Sequence, residues 1–300
     1  MRPEPPRPLR TRLRRIAQEA QLPTRPVFID WTAGYLLAGI AGQPDLGQRL
    51  VFKGGTAIKK CYRADWRYSL DLDFSVLEPQ GCEELLDAVR DACTRATALA
   101  APVGQLAFSC TLLRQREEHP GGQCSMSIEA TLPWGERIPL KLEVTQDEPL
   151  LLDVQRRPIL HPRYAPEPEQ FEAIAVYDIN EIAAEKLRAY LQAAETLRRR
   201  AERAGREPWL KGRSRDTYDL ALLHQARALD LEAIRRILPE KVAARGVVYA
   251  GPRDFQAAAI QPWYRSDWDQ NLVSVVPFGT APAYDDAVQA VNDLLDALLG

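Results

Sequence analysis

A glycine pair followed by a pair of aspartates constrains the fold of this chain more than any other feature of its sequence. From Leu70 to Val76 apolar and polar residues alternate, which places Asp71 and Asp73 on one face of a half-buried strand. Gly54 and Gly55 precede this run, after a short apolar lead-in and before a segment with helical character. The chain must therefore build a sheet in which one strand presents two carboxylates, a few residues after a tight turn.

Three more alternating runs predict three further strands. They are separated by turn residues at Gly121-Gly122 and at Pro133–Gly135, and they span Phe108–Leu112, Ser125–Leu132 and Ile138–Thr145. Short turns between neighbouring strands favour antiparallel pairing. We therefore expect an antiparallel meander joined to the strand that carries the aspartates.

The remaining patterns are helical and divide the chain into lobes. The predicted helices are a short one at Thr11–Gln21, Val27–Ile40, Cys82–Ala100, one from a capping box at Asp178–Glu181 through Leu191, and then Asp216–Ala228, Leu231–Ala244 and Tyr284–Leu299. A proline-rich connection from Pro158 to Pro168 separates the strands from the later helices. We expect an α+β fold with a mixed sheet: a flexible basic N-terminus at residues 1–24, a sheet lobe at 25–157 and a helical C-terminal lobe at 158–300.

Composition indicates a globular protein and disfavours several classes. The 300 residues are 46% hydrophobic and 27% charged, enough for a buried core. No apolar run approaches the roughly 18 to 20 residues of a membrane span, and the N-terminus lacks the apolar stretch of a secretory signal. Five scattered cysteines without a Cys-x-x-Cys pair favour reduced thiols over a disulfide framework or a zinc site. These observations predict a cytoplasmic protein with no membrane contact.

The glycine pair and the aspartates together suggest a site for a nucleoside triphosphate and its metal ions. Glycines allow the backbone to approach a phosphate closely, and free amides at a following helix start favour an anion. Carboxylates on one strand face repel each other unless solvent or cations intervene, and Mg²⁺ prefers such oxygen ligands together with substrate phosphates. Each motif also has a plain structural interpretation, as an ordinary turn and as a solvated strand face.

A third carboxylate usually completes a two-metal phosphoryl-transfer site, and two residues compete for this role. In the strand Ile138–Thr145, the residues Lys141, Glu143 and Thr145 share the polar face, so Glu143 fits by pattern. Glu129 fits on the same logic. Lys141 has two interpretations, as a neutralising charge near the site or as a solvent-exposed side chain.

One lysine and one aspartate in the helical part fall on faces that should be apolar. At about 100° per residue, Lys186 lies in the middle of the apolar stripe of its helix, and Asp219 repeats the anomaly on the next helix. An inward lysine needs an anionic partner or a route to solvent. Either the two residues form a structural ion pair, or Lys186 contacts nucleotide phosphate while Asp219 orients it or acts as a base. Arg215 and Asp216 would cap their helix or brace the site.

The formal net charge of −2 hides concentrated basic stretches. Six arginines lie within the first fifteen residues, and the segment 198–215 is also strongly basic, with Arg198, Arg199, Arg200, Arg203, Arg206, Lys211, Arg213 and Arg215 against Glu202 and Glu207. Such stretches permit contact with a nucleic-acid backbone, but solvated helix faces explain them equally well.

Five segments in this order resemble the motifs of the AbiEii/AbiGii toxin family, across about residues 28 to 225. They are Phe52–Ile58, Tyr68–Phe74, Lys141–Thr145, Glu181–Ala189 and Ser214–Leu220. The family comprises nucleotidyltransferase-fold proteins of bacterial type IV toxin–antitoxin and phage-defence systems. The resemblance implies a DNA polymerase β-like nucleotidyltransferase fold, with Gly54, Gly55 and Thr56 near the triphosphate, Lys53 beside them, and Asp71 and Asp73 as metal ligands. It also implies that Lys186 and Asp219 are required and that an adjacent gene encodes an antitoxin.

Two positions depart from the pattern of this superfamily. Gly55 stands where many nucleotidyltransferases carry a serine, so a side-chain hydroxyl is either supplied by Thr56 or missing. Glu143 stands where superfamily members often carry an aspartate, and its longer side chain would have to serve the metal.

The resulting expectation is a Mg²⁺-dependent nucleotidyltransferase that moves a nucleoside monophosphate from an NTP to an acceptor. The active site would be divided between the sheet lobe and the helical lobe, with Lys186 and Arg215 on the side of the triphosphate. Some relatives resemble enzymes that extend the 3′ end of tRNA, which favours tRNA as acceptor and blocked translation as the consequence. The alternatives are transfer to a protein or a small molecule, and a toxin that binds GTP without transferring it.

Overall fold

A computed structural model of the chain describes residues 8–116, 122–161, 164, 171–201, 213–248 and 261–299. These residues form two compact units. The first unit contains the described residues up to Glu148 together with those from Val154 to Tyr177. The second contains Pro149–Asp153 and the described residues from Asp178 onward. The sequence placed a boundary after residue 157, whereas the last strand of the sheet extends the first unit to Tyr177.

The first unit is built on a seven-stranded mixed sheet. Its strands are β1 (Leu50–Lys53), β2 (Asp71–Val76), β3 (Ala107–Arg116), β4 (Gln123–Thr131), β5 (Arg137–Thr145), β6 (Gln155–Arg157) and β7 (Ile174–Val176). They lie in the order β3-β4-β5-β2-β1-β7-β6. The expected meander is formed by β3, β4 and β5, which pair antiparallel, whereas β2 joins β5 in parallel and β1 antiparallel. The strand with the two aspartates is thus central in the sheet.

Helices cover this sheet because each has an apolar face. They are α1 (Leu9–Glu19), α2 (Thr24–Ala41), α3 (Pro44–Arg49), α4 (Gly54–Ala57), which continues into a π-helical turn at Ile58–Tyr62, and α5 (Cys82–Ala100). Helix α2 is apolar nearly all round and buries residues from Pro26 to Ala41, as a helix in the core of a domain must. Helix α1 confirms the short helix predicted at Thr11–Gln21. Its residues Leu13 and Ala17 are buried, so the flexibility expected for residues 1–24 does not hold for this part. Residues 1–7 lie outside the described part.

The second unit is helical. It contains α6 (Ile179–Ala201), α7 (Ser214–Gln225), α8 (Leu231–Ala243), α9 (Gln261–Asp267) with a π-helical turn at Trp268–Leu272, and α10 (Tyr284–Leu299). Asp178 caps α6 by accepting a hydrogen bond from the Asn180 amide at 2.8 Å. Glu181 does not reach back as a capping box requires. It instead accepts hydrogen bonds from the Leu151 and Leu152 amides at 2.9 and 3.0 Å.

The cysteines differ from the expectation of reduced thiols. Cys82 at the start of α5 and Cys124 in β4 form a disulfide, and the other three cysteines are free and buried. The two partners are 42 residues apart in sequence and become neighbours only through the packing of α5 on the sheet. The spacing of the cysteines in the sequence therefore does not predict this disulfide. Among the described helices, none combines the length and apolarity needed to cross a bilayer.

Candidate active site

The two aspartates share one face of β2, as the alternation predicted. Leu72 and Phe74 are buried on the opposite face, while Asp71 and Asp73 are each partly accessible. In the antiparallel pair with β1, Lys53 lies opposite Asp73. In the parallel pair with β5, Glu143 lies opposite Asp73. The sheet thus gathers three carboxylates and a lysine around position 73.

The register separates the two candidates for the third carboxylate. Glu143 lies beside Asp73 and is held by Lys141, whose Nζ is 2.7 Å from the Glu143 Oε1, and by the Ser125 hydroxyl at 3.2 Å. Glu129 lies on β4 opposite Pro139 and is 3.4 Å from the guanidinium of Arg137 on the exposed surface. Only Glu143 therefore shares the neighbourhood of the aspartates, and Lys141 neutralises part of its charge.

The electrostatics of Asp73 reflect this crowding. Burial disfavours its ionised form, Lys53 counteracts this, and the negative charges of Asp71 and Glu143 add to it, so that the pKa of Asp73 is raised to about 6. A cation placed beside the ionised Asp73 carboxylate would stabilise it. The position is therefore suited to a metal ion.

The glycine turn lies directly against Asp73. Gly54 has φ +79°, in the left-handed region that favours glycine, and a Cβ on it would be 2.8 Å from the Asp73 Oδ2. Thr56 is buried, and its hydroxyl donates a hydrogen bond of 2.5 Å to the backbone carbonyl of Asp71. The turn and the strand of the aspartates are thus connected through both backbone and side chain. Only glycine at position 54 allows this close approach.

A buried hydrogen-bonded cluster beside the site was not found from the sequence. Lys53 Nζ forms an ion pair with Glu148 and donates to the Thr145 hydroxyl at 3.0 Å. The same carboxylate of Glu148 also accepts hydrogen bonds from Ser75 at 2.8 Å and from Tyr177 at 3.1 Å. Lys53, predicted as a nucleotide ligand, is therefore held by Glu148 next to Asp73. The contributing residues come from four separate segments, and no periodic pattern links them.

The donor set suits a magnesium ion that retains open coordination positions. Within the described residues, no group of three or more histidine, cysteine, aspartate or glutamate side chains is arranged to hold a metal ion, so Asp71, Asp73 and Glu143 do not converge on one point. Mg²⁺ is commonly held by one or two carboxylates, with water and substrate phosphates as the other ligands. Asp71 and Asp73, on one face and next to the glycine turn, match that pattern, and Glu143 is the adjacent third carboxylate.

In the helical unit, Lys186 and Asp219 meet as their inward positions predicted. Lys186 Nζ is 2.8 Å from Asp219 Oδ2 and 2.7 Å from Asp216 Oδ1. Arg213 approaches the other oxygen of Asp216 at 3.3 Å. The Asp219 side chain is fully buried and that of Lys186 is 8% exposed. The ion pair that the structural interpretation requires is therefore formed, with Asp216 as an additional partner.

Arg215 lies in the first turn of α7 and is partly exposed. The basic segment that it ends is described only in part, because residues 202–212 lie outside the described residues, and so do the side chains of Arg198, Arg199 and Arg200. The predicted contact of this segment with nucleic acid therefore stays a prediction from sequence.

Comparison with known proteins decides the family. A family model described as "Nucleotidyl transferase AbiEii toxin, Type IV TA system" matches residues 35–290, which include both the glycine turn with its aspartates and the Lys186–Asp219 pair. The chain belongs to the AbiEii nucleotidyltransferase toxin family. It is accordingly a nucleotidyltransferase and a toxin of the type IV toxin–antitoxin class. No curated protein matches the sequence.

A solved structure shows the same fold. MenT4, a nucleotidyltransferase toxin from Mycobacterium tuberculosis H37Rv, aligns with a TM-score of 0.57 at 20% sequence identity. The alignment covers 96% of this chain and 99% of that chain. The AbiEii member described here is thus similar to MenT4 in fold over nearly its whole length.

Proposed function

We propose that this toxin transfers a nucleoside monophosphate from an NTP to the 3′ end of tRNA in a Mg²⁺-dependent reaction, and thereby blocks translation. The observation that supports this proposal most is the contact between the glycine turn and the aspartates. Asp73 Oδ2 would be 2.8 Å from a Cβ at Gly54, so backbone suited to a phosphate and carboxylates suited to a metal ion are immediate neighbours. A nucleotide bound through its metal ion needs both.

The proposed reaction forms one bond to the α-phosphorus and breaks another. An acceptor hydroxyl oxygen forms a bond to the α-phosphorus of the NTP, the bond from that phosphorus to the bridging oxygen of the β-phosphate breaks, and pyrophosphate leaves with the electron pair. The proton of the hydroxyl passes to a base or to water. When bound, Mg²⁺ neutralises phosphate charge and aligns the reacting oxygens.

The residues of the sheet unit have distinct parts in this proposal. Asp71 and Asp73 would hold the ion, and Glu143 would add a third negative charge beside them. Gly54, Gly55 and Thr56 form the turn against which the triphosphate lies. Lys53, held by Glu148, maintains a positive charge next to Asp73 and limits the repulsion among the carboxylates.

The roles that the family resemblance implies for the helical unit are part of the same proposal. Lys186 would contact triphosphate and Asp219 would orient it, because a buried carboxylate at 2.8 Å restricts a lysine that is otherwise flexible. Arg215 would add a further positive charge for the phosphates. Substitution of both residues by apolar ones distinguishes these roles from a purely structural ion pair.

The choice of tRNA rests on charge and on the family. Exposed arginines on α1, among them Arg10 and Arg14, and the basic segment 198–215 offer positive charge to a phosphate backbone. NTPs and tRNA are both found in the cytoplasm, where we place the reaction. A cognate antitoxin encoded by the adjacent gene would control it, in keeping with the type IV class.

Incubation with each of four α-labelled NTPs, total RNA and Mg²⁺ tests the proposal. Label in the tRNA fraction that is released by 3′ exonuclease supports it. Label confined to protein bands or to a small molecule identifies a different acceptor and contradicts the tRNA assignment. Binding of GTP without labelled product would contradict transfer itself.

A further inference from the structure

The guanidinium group of Arg67 occupies the space where a side chain at position 55 would lie. A Cβ on Gly55 would lie 2.4 Å from Nη2 of Arg67 and 3.2 Å from its Cζ. A real Cβ does not approach another heavy atom that closely, so Arg67 fills the space that a side chain at position 55 would need. At the position where many nucleotidyltransferases carry a serine, this chain therefore presents a guanidinium from another segment.

The hydroxyl of the next residue is not free to replace that serine. Thr56 is 2% exposed, and its hydroxyl donates to the backbone carbonyl of Asp71. Because a hydroxyl has one proton to donate, Thr56 offers no second donor to a phosphate. Thr56, the one source of a side-chain hydroxyl that the sequence offers here, thus donates to the backbone. The side chain that lies beside Gly55 is that of Arg67.

The loop that carries Arg67 is fixed by a buried lysine. Lys59, in the π-helical turn that continues from the glycine turn, donates to the backbone carbonyls of Ala64 at 3.0 Å and Trp66 at 2.9 Å. Its Nζ also lies 4.2 Å from the centre of the Tyr68 ring. The residues on either side of Arg67 are therefore held by the same short segment that forms the turn. Arg67 itself is 2% exposed and donates to the Tyr68 carbonyl at 3.3 Å.

Opposite charges thus flank the glycine pair. The Asp73 carboxylate lies against Gly54, and the Arg67 guanidinium lies against Gly55. A metal-bound triphosphate has matching parts, since the ion requires carboxylates and the phosphate oxygens require donors. Arginine suits the second role because its planar guanidinium forms paired, charge-assisted hydrogen bonds with phosphate.

We propose that Arg67 is a nucleotide-binding residue of this toxin, whose guanidinium donates to oxygens of the β- and γ-phosphates, which an NMP lacks, in the place of a side chain at position 55. The assignment deepens the proposed function and depends on it. It also explains why position 55 is glycine: a larger residue would displace the guanidinium from the turn.

The test measures binding of an NTP analogue that cannot be hydrolysed between the α- and β-phosphates, with Mg²⁺, and binding of the matching NMP. Arg67→Ala is expected to weaken binding of the analogue by about 10- to 100-fold, the range for a lost charge-assisted hydrogen bond, and to leave NMP binding within about twofold. Gly55→Ala, which pushes the guanidinium away without removing it, is expected to weaken binding of the analogue in the same direction. Arg63→Gln, a change in the same loop at an exposed arginine, serves as the matched control.

A rescue experiment separates phosphate binding from a structural role. In the double variant Gly55→Ser with Arg67→Ala, the space left by the guanidinium accepts a serine whose hydroxyl can donate to phosphate. We expect this double variant to bind the analogue more tightly than Arg67→Ala alone. Thermal melting without nucleotide shows whether each variant is folded. If Arg67→Ala is unfolded at the assay temperature, Arg67→Lys, which keeps the charge, takes its place in the comparison.

Two outcomes would overturn the assignment. One is a loss of affinity that is equal for the analogue and for the NMP, which indicates a structural role. The other is analogue binding by Arg67 variants that equals the wild type. If the wild-type protein itself shows no Mg²⁺-dependent binding, the proposed function has failed, and that result is distinct from failure of Arg67 alone.

Discussion

At the residue scale, Asp73 is the most informative side chain because burial and neighbouring carboxylates disfavour its ionised form. Desolvation and two neighbouring carboxylates keep its pKa at about 6, above the ordinary value of 3.8, despite the attraction of Lys53. The metal-free folded protein therefore binds a proton at Asp73 more tightly than the unfolded chain does. Stability contributed in this way is present at low pH and is lost as pH rises from about 4 through 6.

The variant Asp73→Asn should therefore be more stable than the wild type in the absence of metal at pH 8. The difference in melting temperature should shrink toward zero as the pH is lowered to about 4, where the wild-type carboxyl is neutral as well. Asp91→Asn, the same change at an exposed position of α5, should show no such trend. Thermal melts at several pH values in the presence of a chelator measure both. A variant that is less stable than the wild type at pH 8 would show that the crowding of carboxylates is not the dominant effect.

The sequence could predict residues whose position follows from periodicity. The alternation in β2 placed Asp71 and Asp73 together, and the alternation in β5 placed Glu143 on the matching face. Arg67 and Glu148 could not be found in this way, since both lie outside regular elements and become neighbours of the site through packing. Their only signal would have been a charged residue in a loop close to the motif, and such residues are common.

At the scale of elements, the ion pair Lys186–Asp219 connects α6 and α7. Variants of these two residues can show whether the pair only stabilises the fold or also acts in nucleotide transfer. Asp219→Ala removes one of the two carboxylates that pair with the buried Lys186 and should lower the free energy of unfolding by about 1 to 3 kcal/mol, because Asp216 remains as a partner. Replacing both charges by apolar residues, in Lys186→Met with Asp219→Leu, should recover most of this loss. Chemical denaturation measures the stabilities.

Nucleotide transfer by the double variant then decides the role of the pair. If Lys186 contacts the triphosphate, the double variant is folded but inactive. A stable double variant that transfers nucleotide as the wild type does would show that the pair is structural. Lys241→Met, which affects the neighbouring pair with Glu181 on α6, is the control for general damage to this helix.

The disulfide between α5 and β4 leads to a second prediction at this scale. It closes a loop of 42 residues, and its reduction should lower the free energy of unfolding by about 3 to 4 kcal/mol in the chain-entropy account. Urea denaturation with and without reductant measures the change, and Cys82→Ser should remove the response to reductant. Equal stability with and without reductant in the wild type would indicate that the two thiols are not bonded in solution.

The strand order also shows which pairings a sequence pattern can predict and which it cannot. The meander β3-β4-β5 followed from short turns, since adjacent strands with short turns pair antiparallel. The parallel pairing of β2 with β5 and the place of β7 beside β1 involve strands far apart in the chain. Those contacts are determined by the packing of helices on the sheet, which local periodicity does not encode.

At the scale of the whole molecule, membership in the AbiEii family predicts toxicity that depends on the site. Expression of the wild-type protein in a bacterial host should arrest growth, and Asp73→Asn should abolish the arrest because metal-bound nucleotide is lost. Asp91→Asn should be as toxic as the wild type. Growth curves after induction, with protein levels matched by immunoblotting, provide the comparison. Arrest by Asp73→Asn at equal protein levels would mean that toxicity does not require transfer.

We propose above all that Asp71, Asp73 and the glycine turn form the site for a metal-bound nucleotide. Calorimetric titration with a non-hydrolysable NTP analogue tests it most directly. We predict that the wild type binds the analogue only with Mg²⁺ and that Asp71→Asn and Asp73→Asn each weaken binding by more than about 100-fold, since even outer-shell changes cost metal sites about 10- to 100-fold. Mg²⁺-dependent binding that both variants retain at wild-type affinity would contradict the claim.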